Sequence, residues 1–236
     1  MRYEKKITRE NAYELIKLFA KEYRKELGKA PCEIIIVGGG SIVLNYKFRE
    51  ATQDLDVILK AASGIHDVIA KFADDNDLPR DWMNSDFMKT TSYSRILSEV
   101  STHFCTLNNS TLEIRTVTGV YLIAMKLRAR RDYRNDISDA IGIIIEEREV
   151  GKNISFEEIQ NAYSKLYNEK IQEELSDIIR NICRMDLIEL KSYYKNQIKS
   201  EQAISGKLVT YVDNGVNINT GNVNDVINKI KEKMKK

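Results

Sequence analysis

The apolar run Glu33-Ile34-Ile35-Ile36-Val37 stops at Gly38-Gly39-Gly40-Ser41, and a second run, Asp54-Leu55-Asp56-Val57-Ile58-Leu59, begins after a spacer of twelve residues. Both runs are rich in β-branched residues and short enough to be buried strands. The glycines between them permit a tight strand-to-helix turn, and Ile42 to Phe48 reads as a short helix capped by Ser41. Side chains alternate along a strand, so Asp54 and Asp56 share one face while Leu55 and Val57 take the other. Two carboxylates on one face beside a glycine turn suit a pair of divalent cations and the phosphates those cations hold.

The flanking pattern predicts an α/β (α+β) protein with a small mixed sheet flanked by helices and an α-helical C-terminal region. Apolar positions at Ala12, Leu15, Ile16, Leu18, Phe19 and Tyr23 predict a helix over residues 8–28, and Ile65, Val68, Ile69 and Phe72 predict another. Residues 80–101 give no clear pattern. Residues 101–107 and 111–117 read as strands joined at Asn108-Asn109-Ser110, a hairpin extending the sheet. From Val120 the chain reads as helical to about residue 203, with breaks near 133–135 and 151–153 and a capping box at Ser155 and Glu158. Val209 to Val212 and Val216 to Ile218 flank Asn214-Gly215, the signal of a second hairpin over 207–219, before a charged terminal helix.

At 236 residues the chain can bury a proper core, and its net charge of +2 does not by itself announce a nucleic-acid binder. The charge is uneven: Lys126, Arg128, Arg130, Arg131 and Arg134 cluster, and Lys229 to Lys236 form a basic end. Three widely spaced cysteines, Cys32, Cys105 and Cys183, fit neither zinc spacing nor a disulfide framework. No signal peptide is visible and no apolar run approaches about 18 residues. A cytoplasmic location and no membrane partner are the expectation.

Apolar strand, Gly-Gly-Ser, spacer and Asp-Leu-Asp together resemble the nucleotidyltransferase superfamily of DNA polymerase β. Within it the chain looks most like the minimal nucleotidyltransferases related to abortive-infection toxins. The stretch from Val120 to Asp139, with Ala124-Met125-Lys126 followed by Arg130, Arg131, Asp132, Asp136 and Asp139, is similar to a helical motif of those proteins. The likeness covers roughly residues 33–145. Together with the element pattern, it divides the chain into a nucleotidyltransferase core over 1–118, a helical region over 119–205 completing the cleft, and a hairpin and basic helix, read from the residues alone, over 206–236. It also implies transfer of a nucleoside monophosphate from a nucleoside triphosphate (NTP) to an acceptor hydroxyl. Two Mg2+ ions would assist. The implied partners are the NTP, tRNA or another RNA end, or a cognate antitoxin protein.

The candidate catalytic and metal-holding residues are therefore Asp54, Asp56 and Glu113. In the resembled family a third carboxylate completes the site from a neighbouring strand, and Glu113 lies opposite Leu112 and Ile114 in strand parity. Its other reading is an exposed residue paired with Arg115 or Lys126. The candidate nucleotide contacts are Gly39 and Gly40, whose backbone N–H groups can approach phosphates closely, with the Ser41 hydroxyl, Lys126 and Arg130. Asp132, Asp136 and Asp139 read first as a solvated face or an ion-pair network. Trp82, Tyr163, Tyr167, Tyr193 and Tyr194 read as packing residues before base-stacking ones, and His66 and His103 as ordinary surface or sheet residues.

Three rivals accompany this reading. A catalytically silent relative would bind nucleotide or a partner in the same cleft. A dinucleotide-binding turn at Gly38 is weakened because Val43 replaces the third glycine and Asp54 follows Gly40 by only fourteen residues. A nucleic-acid-binding module would use the basic helix after residue 125.

Overall fold

A computed structural model describes residues 6–219 and 222–234. A two-residue strand β1 (Ile7–Thr8) leads into α1 (Arg9–Leu27), where Thr8 and Asn11 exchange side chain-to-backbone bonds that satisfy the first turn. Then follow β2 (Cys32–Ile36), α2 (Gly38–Asn45), β3 (Ala51–Thr52), β4 (Leu55–Lys60), α3 (Ile65–Asp75), β5 (Met83–Asn84), a 3-10 turn at Asp86–Lys89 and α4 (Leu97–Val100). The hairpin β6 (Thr102–Leu107) and β7 (Leu112–Thr116) completes the sheet, in the order β5-β4-β2-β7-β6. β2 runs antiparallel to β4 and parallel to β7. The expected mixed sheet is therefore present.

Alternation along β2 divides the core. Ile34 and Ile36 face α1 and α3, packing with Phe19, Tyr23, Phe72 and Trp82. Ile35 and Val37, with Ile58 of β4, face the helical region: α5 (Gly119–Ala129), α6 (Asp136–Glu149), α7 (Phe156–Tyr167) and α8 (Glu173–Arg184). The helical wall thus packs against the face that carries Asp56, because Asp56 and Ile58 share strand parity. Ser155 and Glu158 form the expected capping box at α7. Trp82 is fully buried with its indole N–H donating to the Ile69 carbonyl, and Tyr167 donates to the Ser92 carbonyl, so both are packing residues.

The hairpin expected over 207–219 is not formed. Those strand-like valines lie in α9 (Leu187–Asp213), and a last helix α10 (Val223–Met234) folds back on it. Asn214-Gly215 acts as a helix stop: Gly215 takes φ +83°, its N–H bonds the Val212 carbonyl, and the Val216 N–H bonds the Tyr211 carbonyl. Ile204 and Leu208 pack against Val226, Ile227 and Ile230, a small separate core that rewards helix over strand at these positions. The expected basic helix is α10, although Lys235 and Lys236 lie outside the described residues. Among the described residues no helix is long and apolar enough to cross a membrane.

Candidate functional site

The site is built where β2 ends. The Val37 N–H bonds the Asp56 carbonyl, which sets the two strands in register and brings the glycine turn against the aspartates. α2 begins at Gly38, one turn earlier than the sequence suggests, with Val37 in the capping position and no side-chain cap. Gly38 takes φ +57°, and a side chain there would sit 3.4 Å from Asp56 Oδ2. Glycine is required for the conformation and lets the first-turn N–H groups of α2 approach the carboxylate side of the site. Gly39 lies against Thr52 and the Arg49 guanidinium. Gly40 lies against Ile36 and Leu55, so α2 packs closely on the sheet.

Ser41 has a different role from the one expected. Its hydroxyl is 0% exposed, donates to the Ile36 carbonyl at 2.7 Å and accepts from the Val117 N–H at 3.0 Å. It ties the end of β2 to the end of β7, and neither bond is free for a phosphate. It also does not cap α2, because it lies inside the helix.

Asp54 and Asp56 are both partly exposed, on the face opposite buried Leu55 and Val57. Only one of their four carboxylate oxygens receives a hydrogen bond from a described residue: Asn84 Nδ2 donates to Asp54 Oδ2 at 3.0 Å. Burial first, and then the neighbouring Asp54 charge, push the Asp56 carboxyl up to about 6, against the pull of Arg131 and Lys126. Asp86 adds to the repulsion. A donor-poor pair of neighbouring carboxylates could hold a hard divalent cation, whose charge would relieve the repulsion between them.

Glu113 does not join them. It pairs in register with Glu33, while Val117, the residue just past β7, meets the end of β2 through its N–H bond to the Ile36 carbonyl. Four residues of strand separate Glu113 from that level, about 13 Å. Its carboxylate is held by Arg115 at 3.0 Å and faces His103 at 3.6 Å, and the Arg115 bond keeps it below the usual glutamate range. The alternative reading, an exposed strand residue paired with Arg115, is the observed one. Among the described residues no three His, Cys, Asp or Glu side chains are grouped to hold a metal ion.

Lys126 is also elsewhere than expected. It is 7% exposed and bonds Asp136 at 3.2 Å and Asp139 at 2.7 Å. Arg131 grips the same Asp136 through Nε and Nη2, and Arg49 pairs with the same Asp139. The result is a continuous line, Arg49–Asp139–Lys126–Asp136–Arg131, running behind the glycine turn and the aspartate pair. Burial alone would raise the Asp136 carboxyl, but Lys126 and Arg131 hold it below its ordinary value. Asp136 and Asp139 thus belong to an ion-pair network, as their first reading had it, although a buried one. Arg130 leaves the helical face it was expected to share with Lys126. It takes a left-handed conformation at φ +34° as the cap of α5 and points outward, exposed. Arg131, the next residue, is the one that acts on Asp56.

A family model described as "Nucleotidyltransferase of unknown function (DUF6036)" matches residues 14–195. The chain belongs to this family. The match to DUF6036 runs from within α1 into α9 and so includes the glycine turn, both aspartates and the whole buried network. No curated protein and no solved structure matches the chain. Sequence reasoning missed three residues of the site: Arg49, Arg131 as distinct from Arg130, and Asn84. Arg49 meets its partner ninety positions away, and Asn84 lies in the segment without a readable pattern, so neither carried a local signal.

Proposed function

We propose that this DUF6036 protein moves a nucleoside monophosphate from an NTP to an acceptor hydroxyl at the Asp54–Asp56 pair, with magnesium bound there. The observation that carries the reading is the mismatch in pairing. The nearby cations are already matched to Asp136 and Asp139, while Asp54 and Asp56 receive one neutral donor between them. A cation from solution is the missing partner. When bound, it would neutralise the pair and hold the phosphates of the substrate. Two carboxylates suffice for one such ion, and a second would draw its remaining donors from the nucleotide.

The chain's own residues supply binding and orientation. The first-turn N–H groups of α2 offer donors to phosphate oxygens. Arg49, beside Gly39, and Arg131, whose charge acts on Asp56, each keep one guanidinium nitrogen (Nη2 and Nη1) without a hydrogen-bond partner among the described residues and add positive potential to the mouth of the site. In the transfer a bond forms between the acceptor oxygen and the α-phosphorus, the bond to pyrophosphate breaks, and the acceptor proton passes to water. The likeness to abortive-infection toxins supports an RNA end, tRNA in particular, or a hydroxyl of a cognate protein as acceptor, and a role in a toxin–antitoxin or phage-defence pair.

The test is incubation with each labelled NTP, Mg2+ and total RNA, with Asp54→Asn/Asp56→Asn as the control. Label on RNA or protein that the double variant loses supports the reading; equal label with both proteins overturns it. A second reading, nucleotide binding without transfer, draws on the lack, among the described residues, of a third carboxylate grouped closely enough with the pair to hold a metal ion. Tight Mg2+–NTP binding with no transferred label would select it.

A further inference from the structure

β5 is only two residues long, yet it lies parallel to β4 with Asn84 level with Asp56. Met83 points into the core and Asn84 points to the carboxylate face. The Asn84 amide uses every part of itself: Nδ2 donates to Asp54 Oδ2 at 3.0 Å and to the Asp81 carbonyl at 2.9 Å, and Oδ1 accepts the Asp86 N–H at 2.9 Å. Asp54 is thereby fixed by one oxygen, and its other oxygen has no partner among the described residues.

Resting on the reading of the Asp54–Asp56 pair as a cation site, we infer that Asn84 is a positioning residue that presents Asp54 to the metal. A neutral amide suits this task. Lysine or arginine in its place would orient the carboxylate equally well but neutralise it, and so compete with the cation. A residue without a donor would leave Asp54 free to rotate beside a like charge. Partners that orient a metal-ligating carboxylate typically affect affinity by about 10–100-fold when removed.

Mn2+ serves as the probe, titrated without nucleotide and followed by electron paramagnetic resonance and calorimetry. Asn84→Ala is expected to weaken Mn2+ binding by about 10–100-fold. Asn84→Lys is expected to weaken it at least as much while keeping a donor in place. Ser85→Ala is the structural control, since Ser85 Oγ bonds the Val57 carbonyl and helps strap the same segment without touching Asp54. It is expected to stay within about twofold of wild type, well short of the loss set by an orienting partner.

Wild-type affinity in Asn84→Ala or in Asn84→Lys overturns the inference, and so does an equal loss in Ser85→Ala. In each case the reading of the pair survives if Asp54→Asn still abolishes binding. Wild-type protein that binds no Mn2+, or binds it unchanged in Asp54→Asn, overturns both.

Discussion

Lys126 offers a sharp division between a fold role and a ligand role. Its ammonium lies 2.7 Å from Asp139 and 3.2 Å from Asp136, both aspartates being almost wholly buried. At an effective dielectric of about 20, each contact is worth roughly 5–6 kcal/mol of gross attraction, most of which offsets the cost of taking the charges out of water. Breaking a buried pair by removing one partner leaves the other charge uncompensated and costs about 3–5 kcal/mol. Here each aspartate keeps an arginine, Arg49 for Asp139 and Arg131 for Asp136, so the low end applies. Lys126→Met keeps the apolar stem and removes only the charge. It is expected to lose about 3 kcal/mol, or about 6–12 °C in Tm for a chain of this size. Urea unfolding followed by circular dichroism, with a parallel melt, measures it. A change under about 0.5 kcal/mol would refute the argument. Lost nucleotide binding in that stable variant would return Lys126 to the triphosphate contact suggested by the sequence.

Asp56 titrates near 6 in the folded protein, above the ordinary aspartate value of about 3.9, so the unfolded chain binds fewer protons in this window and stability falls as pH rises from about 4 to about 6. Asp56→Asn is therefore expected to raise the metal-free Tm at pH 7.5 and to leave it unchanged below pH 4, with a ceiling of about 3 kcal/mol; a neutral or destabilising effect at pH 7.5 would contradict the sign. Gly40→Ala would set a methyl 2.8 Å from Ile36 Cγ2 and Leu55 Cδ2, and a loss of about 1–3 kcal/mol is expected in chemical denaturation. Glu201 is 2% exposed and accepts the N–H groups of Ile137 and Ser138 at the start of α6. Glu201→Ala strands those donors, and about 2 kcal/mol of lost stability is expected in the same assay.

The parts of the fold that were legible in the sequence are those decided locally. The strands around the glycine turn announced themselves because β-branched runs are bounded there by residues that cannot continue a strand. The hairpin at 207–219 failed because a local signal had two meanings. Asn-Gly can close a hairpin or end a helix, and the contact of Ile204 and Leu208 with α10 decides between them. Glu113 failed for a related reason. Alternation placed it on the correct face, but the face is a parity and the position along it is a register, which depends on how β7 pairs with β2. Lys126 was located correctly on its helix. What the sequence did not carry was that Asp136 and Asp139 return beneath it after the chain reverses at Arg130.

That reversal explains why a costly arrangement sits where it does. Five buried or half-buried charged groups could be replaced by apolar side chains at little loss of stability, so stability alone is a weak reason for them. Their position behind Asp54 and Asp56 supplies a better one. Counting both, three cations face four carboxylates, leaving one negative charge in excess. On the proposed reading of the pair as a cation site, a bound divalent cation would turn that excess positive, and the mouth of the site would then favour a polyphosphate. With Asp136 and Asp139 neutral, the three basic groups would bind phosphate unaided and the aspartate pair would lose its grip on a metal. On that reading the buried aspartates hold the basic residues in check, so that charge at the site would be set by an arriving cation.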